Sequence, residues 1–390
     1  MIQPVLISGL GVVSAAGSNV PETLAGFEAG RRTVGKITLF QTPLDYPVFE
    51  VTAPLQGAGR SKSRTVQLAL HALDAALLDS GLGRDLSALR VGVCMGTTVA
   101  SQLNDMGFYT TYRQTGEAPL EPVETFLKSN LAAAVAGEVR ATGPCVTIAN
   151  ACSSSADAIG VALEWLRSGL CDIAIAGGAD ELNRIPVCGF GSLSVFSKEP
   201  CRPYDRDRQG LNLGEGAGIL ILETIASARQ RGADRALCVA GYGAACDAYH
   251  LTAPRPDGAG LEAAIRISLA QAGIQPGAVS FVNAHGTATR DNDKVEGSVL
   301  ARVFGPDIKA LSTKGFTGHT LGAAGALEAA FTALALRDGW IPASPGFENK
   351  DDEIPIGAVR SRTSLAGRYA VSTSLAFGGN NASLVIGLNE

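Results

Sequence analysis

Val146-Thr147-Ile148-Ala149-Asn150-Ala151-Cys152-Ser153-Ser154-Ser155-Ala156-Asp157 is the stretch on which the reading of this chain turns. Its first four residues form a short apolar run rich in β-branched side chains, the signature of a buried strand. Small residues and three serines follow, and then Ile159, Leu163 and Leu166 recur at helical spacing. The pattern is strand, tight turn, helix, with one cysteine at the junction. Serine and aspartate in the first turn suit a helix N-terminus. Backbone N–H groups there carry partial positive charge and favour a thiolate.

Working outward, the same alternation continues on both sides. Val5 to Gly9, Arg90 to Met95 and Ile173 to Gly177 read as buried strands. Val66, Ala69, Leu70, Leu73 and Leu77 fall on one helical face between the first two. Strands alternating with helices imply an α/β fold with a mainly parallel sheet covered on both faces. The order then repeats. Leu237 to Gly243 echoes Val5 to Gly11, Ser280 to Thr287 echoes Arg90 to Thr97, and Leu311-Ser312-Thr313 precedes a second small-residue helix, Leu321 to Leu336. Two similar halves follow, 1–235 with Cys152 and 236–390 with the histidines discussed below. Near the end, Tyr369 to Leu375 and Ser383 to Leu388 read as strands joined by the hairpin-type connection Ala376-Phe377-Gly378-Gly379-Asn380-Asn381.

Composition narrows the function classes. With 46% hydrophobic and 18% charged residues and 47 glycines, the 390-residue chain buries much surface and turns often. A net charge of −5 argues against nucleic acid as the main partner. No apolar run reaches the ~18 residues that span a bilayer. The N-terminal run Met1 to Ile7 enters a strand directly, without a basic n-region, so a cytoplasmic protein with no membrane partner is expected. None of the eight cysteines forms a C-x-x-C pair, and no metal site is expected.

The chemistry-bearing candidates stand in small-residue settings. His285 lies in Ala284-His285-Gly286-Thr287 and His319 in Thr317-Gly318-His319-Thr320-Leu321-Gly322. Lys314 sits five residues before His319. Glu328 lies in an otherwise apolar helix, where a carboxylate needs a partner, and Lys314 or a histidine would serve. One thiol and two imidazoles suit covalent sulfur chemistry assisted by hydrogen-bond donors, with a thioester as a sensible target.

Taken together, these motifs resemble those of the β-ketoacyl-acyl-carrier-protein synthases of the thiolase superfamily. The resemblance runs from Ile7-Ser8-Gly9-Leu10-Gly11-Val12-Val13-Ser14 to Phe377-Gly378-Gly379-Asn380-Asn381-Ala382. Gly143-Pro144, Ala176-Gly177-Gly178-Ala179-Asp180, Arg202-Pro203-Tyr204-Asp205 and Leu213-Gly214-Glu215-Gly216-Ala217-Gly218 match in between. It implies a thiolase fold of two βαβαβαββ-type halves layered α-β-α-β-α. No cysteine follows Cys246, whereas a thiolase is expected to carry a second one near its C-terminus. The paired histidines match the elongating synthases and not the CoA-primed initiating ones, which pair one histidine with an asparagine.

The resemblance further implies the roles. Cys152 holds an acyl group as a thioester, and His285 and His319 hold the thioester carbonyl of malonyl-carrier protein while carbon dioxide leaves. The N–H groups of Cys152 and Phe377 form the oxyanion hole, and Phe377 gates the acyl tunnel. Lys314 and Glu328 form a polar network around the second histidine, with Lys314 orienting His319. Thr287 and Thr289 bind the phosphopantetheine arm of an acyl carrier protein, and Arg60, Lys62 and Arg64 meet that protein. No cofactor is implied beyond that arm. A homodimer is expected, or a heterodimer with a chain-length-factor-like subunit. Phe108, Tyr109, Tyr112 and Phe126 are candidates to line or cap the tunnel. The resemblance implies fatty acid or polyene/polyketide biosynthesis; Arg290, where the family usually has proline, and the variant turns Thr313 to Phe316 and Ala376 to Asn381 look like secondary-metabolite variants, including those making aryl polyenes. The second reading is a non-catalytic subunit that shapes a partner's tunnel; such a subunit is expected to have lost its nucleophile, whereas Cys152 is present.

Overall fold

The computed structural model describes residues 4–55, 63–100, 105–128 and 130–389. Ten strands form one continuous sheet. In the first half they are β1 (Val5–Ser14), β2 (Val91–Gly96), β3 (Cys145–Ile148), β4 (Ile173–Asp180) and β5 (Gly216–Glu223). In the second they are β6 (Leu237–Cys246), β7 (Val279–Asn283), β8 (Ala310–Leu311), β9 (Tyr369–Ala376) and β10 (Asn380–Leu388). The spatial order is β3-β2-β4-β5-β1-β6-β10-β9-β7-β8. Each set of five therefore has the same internal order, and the two meet head to head where β1 and β6 pair at Val5↔Val239 and Leu6↔Cys238.

The sheet is mixed, which corrects the expectation of a mainly parallel one. β2 runs parallel to β3 and β4, and β7 parallel to β8 and β9, while the β4–β5, β5–β1, β1–β6, β6–β10 and β10–β9 pairs are antiparallel. Parallel neighbours need a crossover element, as between β7 and β8. The three residues from Phe377 to Gly379 permit only a hairpin between β9 and β10.

Helices cover both faces. The principal ones are α1 (Arg64–Ser80), α2 (Met106–Thr115), α3 (Leu131–Val139), α4 (Ser154–Arg167), α5 (Arg184–Ser192), α6 (Ala259–Ala272), α7 (Arg290–Phe304) and α8 (Ala324–Asp338). Alternation along the strands assigns side chains to layers. In β2, Val91 and Val93 face α1 and α3, whereas Cys94 faces the central layer. That layer is α4 and α8, packed between Leu10, Ala174 and Leu220 of the first five strands and Phe281, Ala370 and Leu384 of the second. Helices α6 and α7 close the far side against Val282, Val371 and Val385. The succession is α-β-α-β-α, as a thiolase fold requires. Among the described residues no helix is long and apolar enough to cross a membrane.

Candidate active site

The nucleophile turn is built by close backbone approaches. Ala151–Ser153 forms one turn of 3₁₀ helix before α4, with Ala151 at φ 49°. The ends of β2 and β4 press against it: a Cβ on Gly96 would lie 2.3 Å from Ser155 N, and one on Gly178 would lie 2.6 Å from Ser155 Cβ. Only glycine lets these strands seat the start of α4 so closely. Ser154 Oγ accepts from Asn150 N at 2.8 Å and donates to the Ala151 carbonyl at 2.6 Å. Cys152 is thus fixed at a buried helix start, as its sequence setting predicts.

Both histidines come from loops in the second half. His285 follows β7, and Glu296 of α7 clamps its loop by accepting from His285 N and Gly286 N, each at 2.8 Å. His319 follows Gly318, whose φ of 65° reverses the chain. Its N–H donates to the Asn212 carbonyl at 2.8 Å and its carbonyl accepts from Gly214 N at 3.0 Å. These bonds bring His319 Nε2 to 3.0 Å from Cys152 Sγ, with the two imidazoles edge to face at 5.2 Å.

Lys314 stands elsewhere than expected. Its Nζ lies 3.0 Å from Nδ1 of His285 and pairs with Glu328 Oε1, so it orients His285 and not His319. The parallel pairing of β7 with β8, Asn283 opposite Leu311, sets the His285 loop beside Lys314. An ammonium only donates, so Nδ1 of His285 accepts and its proton sits on Nε2, facing the cavity. Nδ1 of His319 is buried without a partner among the described residues. An orphaned N–H is rarer than an orphaned acceptor, so His319 too is best served as the Nε2–H tautomer. Burial, Lys314 and then His319 hold His285 well below the usual histidine range, and burial and Lys314 do the same to His319. Both are neutral donors.

Cys152 itself is pushed up to about 12 by burial, against the pull of Lys314 and of the Phe377 N–H, which reaches its sulfur. The helix start alone points toward a thiolate; desolvation outweighs it here, and the resting thiol is protonated. Burial also raises Glu328 to about 7 despite Lys314. The ligand atoms of Cys152, His285 and His319 lie within 4.8 Å of one another, a spacing that would also suit a soft cation. The Lys314 ammonium behind His285 opposes that use.

A cavity of about 360 Å³ opens onto the thiol. Cys152, His285, His319, Thr287, Thr289 and Phe377 all line it. The two threonine hydroxyls share a hydrogen bond at 2.8 Å. Phe377 precedes Gly378 at φ 89° and Gly379 at φ 82°, two left-handed residues that a glycine pair makes cheap. Its ring stacks on Phe190 at 5.2 Å, and Phe190 also meets His319 edge-on at 6.4 Å. Phe190 has no distinctive sequence setting, and sequence reasoning misses it. It also misses Glu296, and sees Asp180 only as part of a motif. Asp180 accepts from Thr97 Oγ1 at 2.6 Å, Val99 N at 2.8 Å and Gly322 N at 2.6 Å, tying β4 to the turn after His319.

Other candidates stand apart from this cavity. Phe108, Tyr109, Tyr112 and Phe126 do not line this cavity; α2 has no buried residue, and Phe108 stacks on Tyr112 at 6.2 Å at the surface. Arg64 is committed inward, bidentate to buried Glu215 at 2.9 and 2.5 Å and donating to the Val51 carbonyl at 2.8 Å. Its Nη1 is not used in these bonds, and the side chain stays 26% exposed. Arg60 and Lys62 lie outside the described residues.

Known proteins fit this geometry. Residues 3–228 match the model of the beta-ketoacyl synthase N-terminal domain, and residues 237–348 that of the C-terminal domain. A 3-oxoacyl-[acyl-carrier-protein] synthase 2 from Rhizobium meliloti is 34% identical, covering 98% of each chain. Among solved structures, the ishigamide ketosynthase/chain length factor superposes with TM-score 0.92 at 32% identity over 100% of each chain. A ketosynthase in complex with its chain length factor from Xenorhabdus doucetiae gives 0.84 at 32% identity, over 99% of this chain and 98% of that one. With a buried thiol facing two neutral imidazoles and both domain models matched in order, the chain belongs to the β-ketoacyl synthase family of the thiolase superfamily and is an acyltransferase of the elongating kind.

Proposed function

We propose that this chain catalyses decarboxylative Claisen condensation of malonyl-carrier protein with an acyl chain held on Cys152, as the catalytic subunit of a polyene- or polyketide-type system such as aryl polyene synthesis. The observation that carries the chemistry is the 3.0 Å approach of His319 Nε2 to Cys152 Sγ, with a second Nε2–H from His285 beside it. Sulfur attacks the carbonyl of the acyl-carrier thioester, a C–S bond forms to Cys152, and the carrier thiol leaves with the thiol proton. His319 Nε2–H stabilises the sulfur as negative charge builds.

Malonyl thioester then enters along Thr287 and Thr289, which suit the amides and hydroxyls of a phosphopantetheine arm. Both Nε2–H groups donate to its carbonyl oxygen while the bond to the carboxylate breaks and carbon dioxide departs. The enolate carbon attacks the Cys152 thioester, and the N–H groups of Cys152 and Phe377 hold the resulting oxyanion. Collapse expels the Cys152 sulfur, which regains a proton. Donors of this kind are typically worth ~10²–10³ in rate each.

The reading of this chain as a catalytic subunit beside a chain-length-factor-like partner draws support from two sources. The similar solved structures include ketosynthases with such a factor. The outer strand β3 leaves Cys145 and Val146 exposed, an open edge that proteins usually cover. The Cys152–His319 contact argues against the non-catalytic reading of this chain.

Intact-mass measurement after incubation with acyl-carrier protein tests the chemistry. A mass increment on wild type, absent from Cys152→Ala, is expected; an unlabelled wild type would sink the proposal. Native mass spectrometry of the chain expressed alone tests the partner. A fully active homodimer would reject the heterodimer.

A further inference from the structure

The glycine turn carrying Phe377 is tied to the nucleophile turn by a row of polar side chains. Tyr242 Oη donates to Asp157 Oδ1 at 2.8 Å. Asp157 Oδ2 accepts from Asn150 Nδ2 at 2.6 Å and from Ser153 Oγ at 2.8 Å. Asn150 Oδ1 accepts from Asn380 Nδ2 at 2.6 Å. The direction of this row follows from chemistry. A carboxylate only accepts, so Asn150 must turn its nitrogen toward Asp157 and its oxygen toward Asn380, which must then donate. The row is also built to fit: a Cβ on Gly160 would lie 2.4 Å from the Tyr242 ring, so bare backbone on α4 is what lets that ring reach Asp157.

Its position gives it meaning. Asn150 stands two residues before Cys152, and Asn380 three residues after Phe377. The two N–H groups that face the reacting carbonyl thus belong to the two elements that the Asn150–Asn380 bond joins. The backbone of Gly378 and Gly379 is held on its outer side, Gly378 N donating to the Leu251 carbonyl and the Gly379 carbonyl accepting from Asp247 N, each at 2.8 Å; the Asn380 side chain adds the tie across to the nucleophile turn.

We propose that Asn380 is a positioning residue: its bond to Asn150 is a latch that sets the span of the oxyanion hole and holds the Phe377 turn closed over Cys152. This rests on the condensing reaction proposed above. The latch serves the steps in which a carbonyl at Cys152 becomes tetrahedral, namely acyl transfer and condensation. It does not serve decarboxylation of malonyl thioester, where the donors are His285 and His319.

Separate assays of the two half-reactions test it. Asn380→Asp places an acceptor against Asn150 Oδ1 and forces the pair apart; Asn380→Ala removes the bond without adding charge. Acyl transfer to Cys152 is expected to fall ~10²-fold in Asn380→Asp, comparable to loss of one oxyanion donor, and by a smaller factor in Asn380→Ala. Decarboxylation of malonyl-carrier protein is expected to stay within about 2-fold of wild type. Thermal unfolding of both variants shows whether they fold, and Asn380→Ala serves if Asn380→Asp does not. Equal losses in both half-reactions by a folded variant would mean a merely structural role and overturn the latch, as would no loss in either. A wild type that takes no acyl group indicts the condensing reading itself, which the mass measurement shows separately.

Discussion

Two turns of this molecule share one backbone design and serve it differently. Ala151–Ser153 leads into α4, and Leu321–Ala323 leads into α8; each is a 3₁₀ turn whose first residue has left-handed φ, 49° at Ala151 and 52° at Leu321. Such a φ in a residue with a Cβ costs ~1 kcal/mol or more and persists only where surroundings impose it. The two helices touch, with Ser155 Oγ accepting from Ala326 N at 2.8 Å. The residue after the strained one differs. In the first turn it is Cys152, facing the cavity. In the second it is Gly322, whose N–H is bound to Asp180 and whose missing side chain leaves room for Thr98 and Asp180. The same strained turn presents a nucleophile in one copy and wedges two layers together in the other, holding His319 opposite the thiol.

One pair of variants tests that division most severely. Cys152→Ala should abolish condensation yet cost less than ~2 kcal/mol, as a small buried truncation. Gly322→Ala should act on stability first. Its Cβ would meet Thr98 N at 2.7 Å and Asp180 Oδ2 at 2.8 Å. Backbone cannot yield as a flexible side chain does, so a loss of ~3 kcal/mol is expected in denaturant unfolding. Equal stability of the two variants would break the comparison.

What the local sequence shows of this site, and what it hides, follows from the range of each force. Cys152, His285 and His319 are legible because a reactive residue among glycines and small side chains marks a turn at a strand end. The partner of Lys314 is not legible. His319 is nearer along the chain, but the pairing of β7 with β8 brings the His285 loop closer in space. The protonation of Cys152 is hidden for a similar reason: a helix start is local, whereas the burial that overrides it is assembled from both halves. Strand direction fails likewise, since β5 and β10 look in sequence like the other strands of their halves and only topology reverses them.

A second test asks whether the support behind each turn is equally demanding. Lys314 faces Glu328 of α8, so Lys314→Met leaves that carboxylate buried and unpaired. Burial already raises Glu328 from 4.5 to about 7. An acid with a raised folded pKa stabilises the fold below its unfolded value, and that contribution is lost as pH rises through the folded one. Removing the Lys314 cation, which pulls it down, raises it further. Lys314→Met should therefore cost ~3 kcal/mol at pH 8 and distinctly less at pH 6, where Glu328 can hold its proton. Unfolding at the two pH values decides it, and a cost independent of pH would show that the ion pair is not what matters. Activity should fall as well, because Nδ1 of His285 loses the donor that fixes its tautomer.

The finest distinction lies in the strained residues themselves. Glycine relieves left-handed φ at either position but adds ~0.5–1 kcal/mol of unfolded-chain entropy. At Ala151 only a methyl group is given up, so relief of ~1–2 kcal/mol should leave Ala151→Gly more stable by up to ~1 kcal/mol. At Leu321 the same relief is set against a side chain only 1% exposed, whose removal costs ~2–3 kcal/mol or more. Leu321→Gly should therefore be less stable than wild type. One backbone angle gives opposite signs because one turn is packed by its strained residue and the other is not. Ala151→Gly should also slow acyl transfer several-fold, since the strain that aims Cys152 is what the substitution removes. A stabilised Ala151→Gly variant with undiminished acyl transfer would show that the first turn's conformation is only inherited from the design it shares with the second.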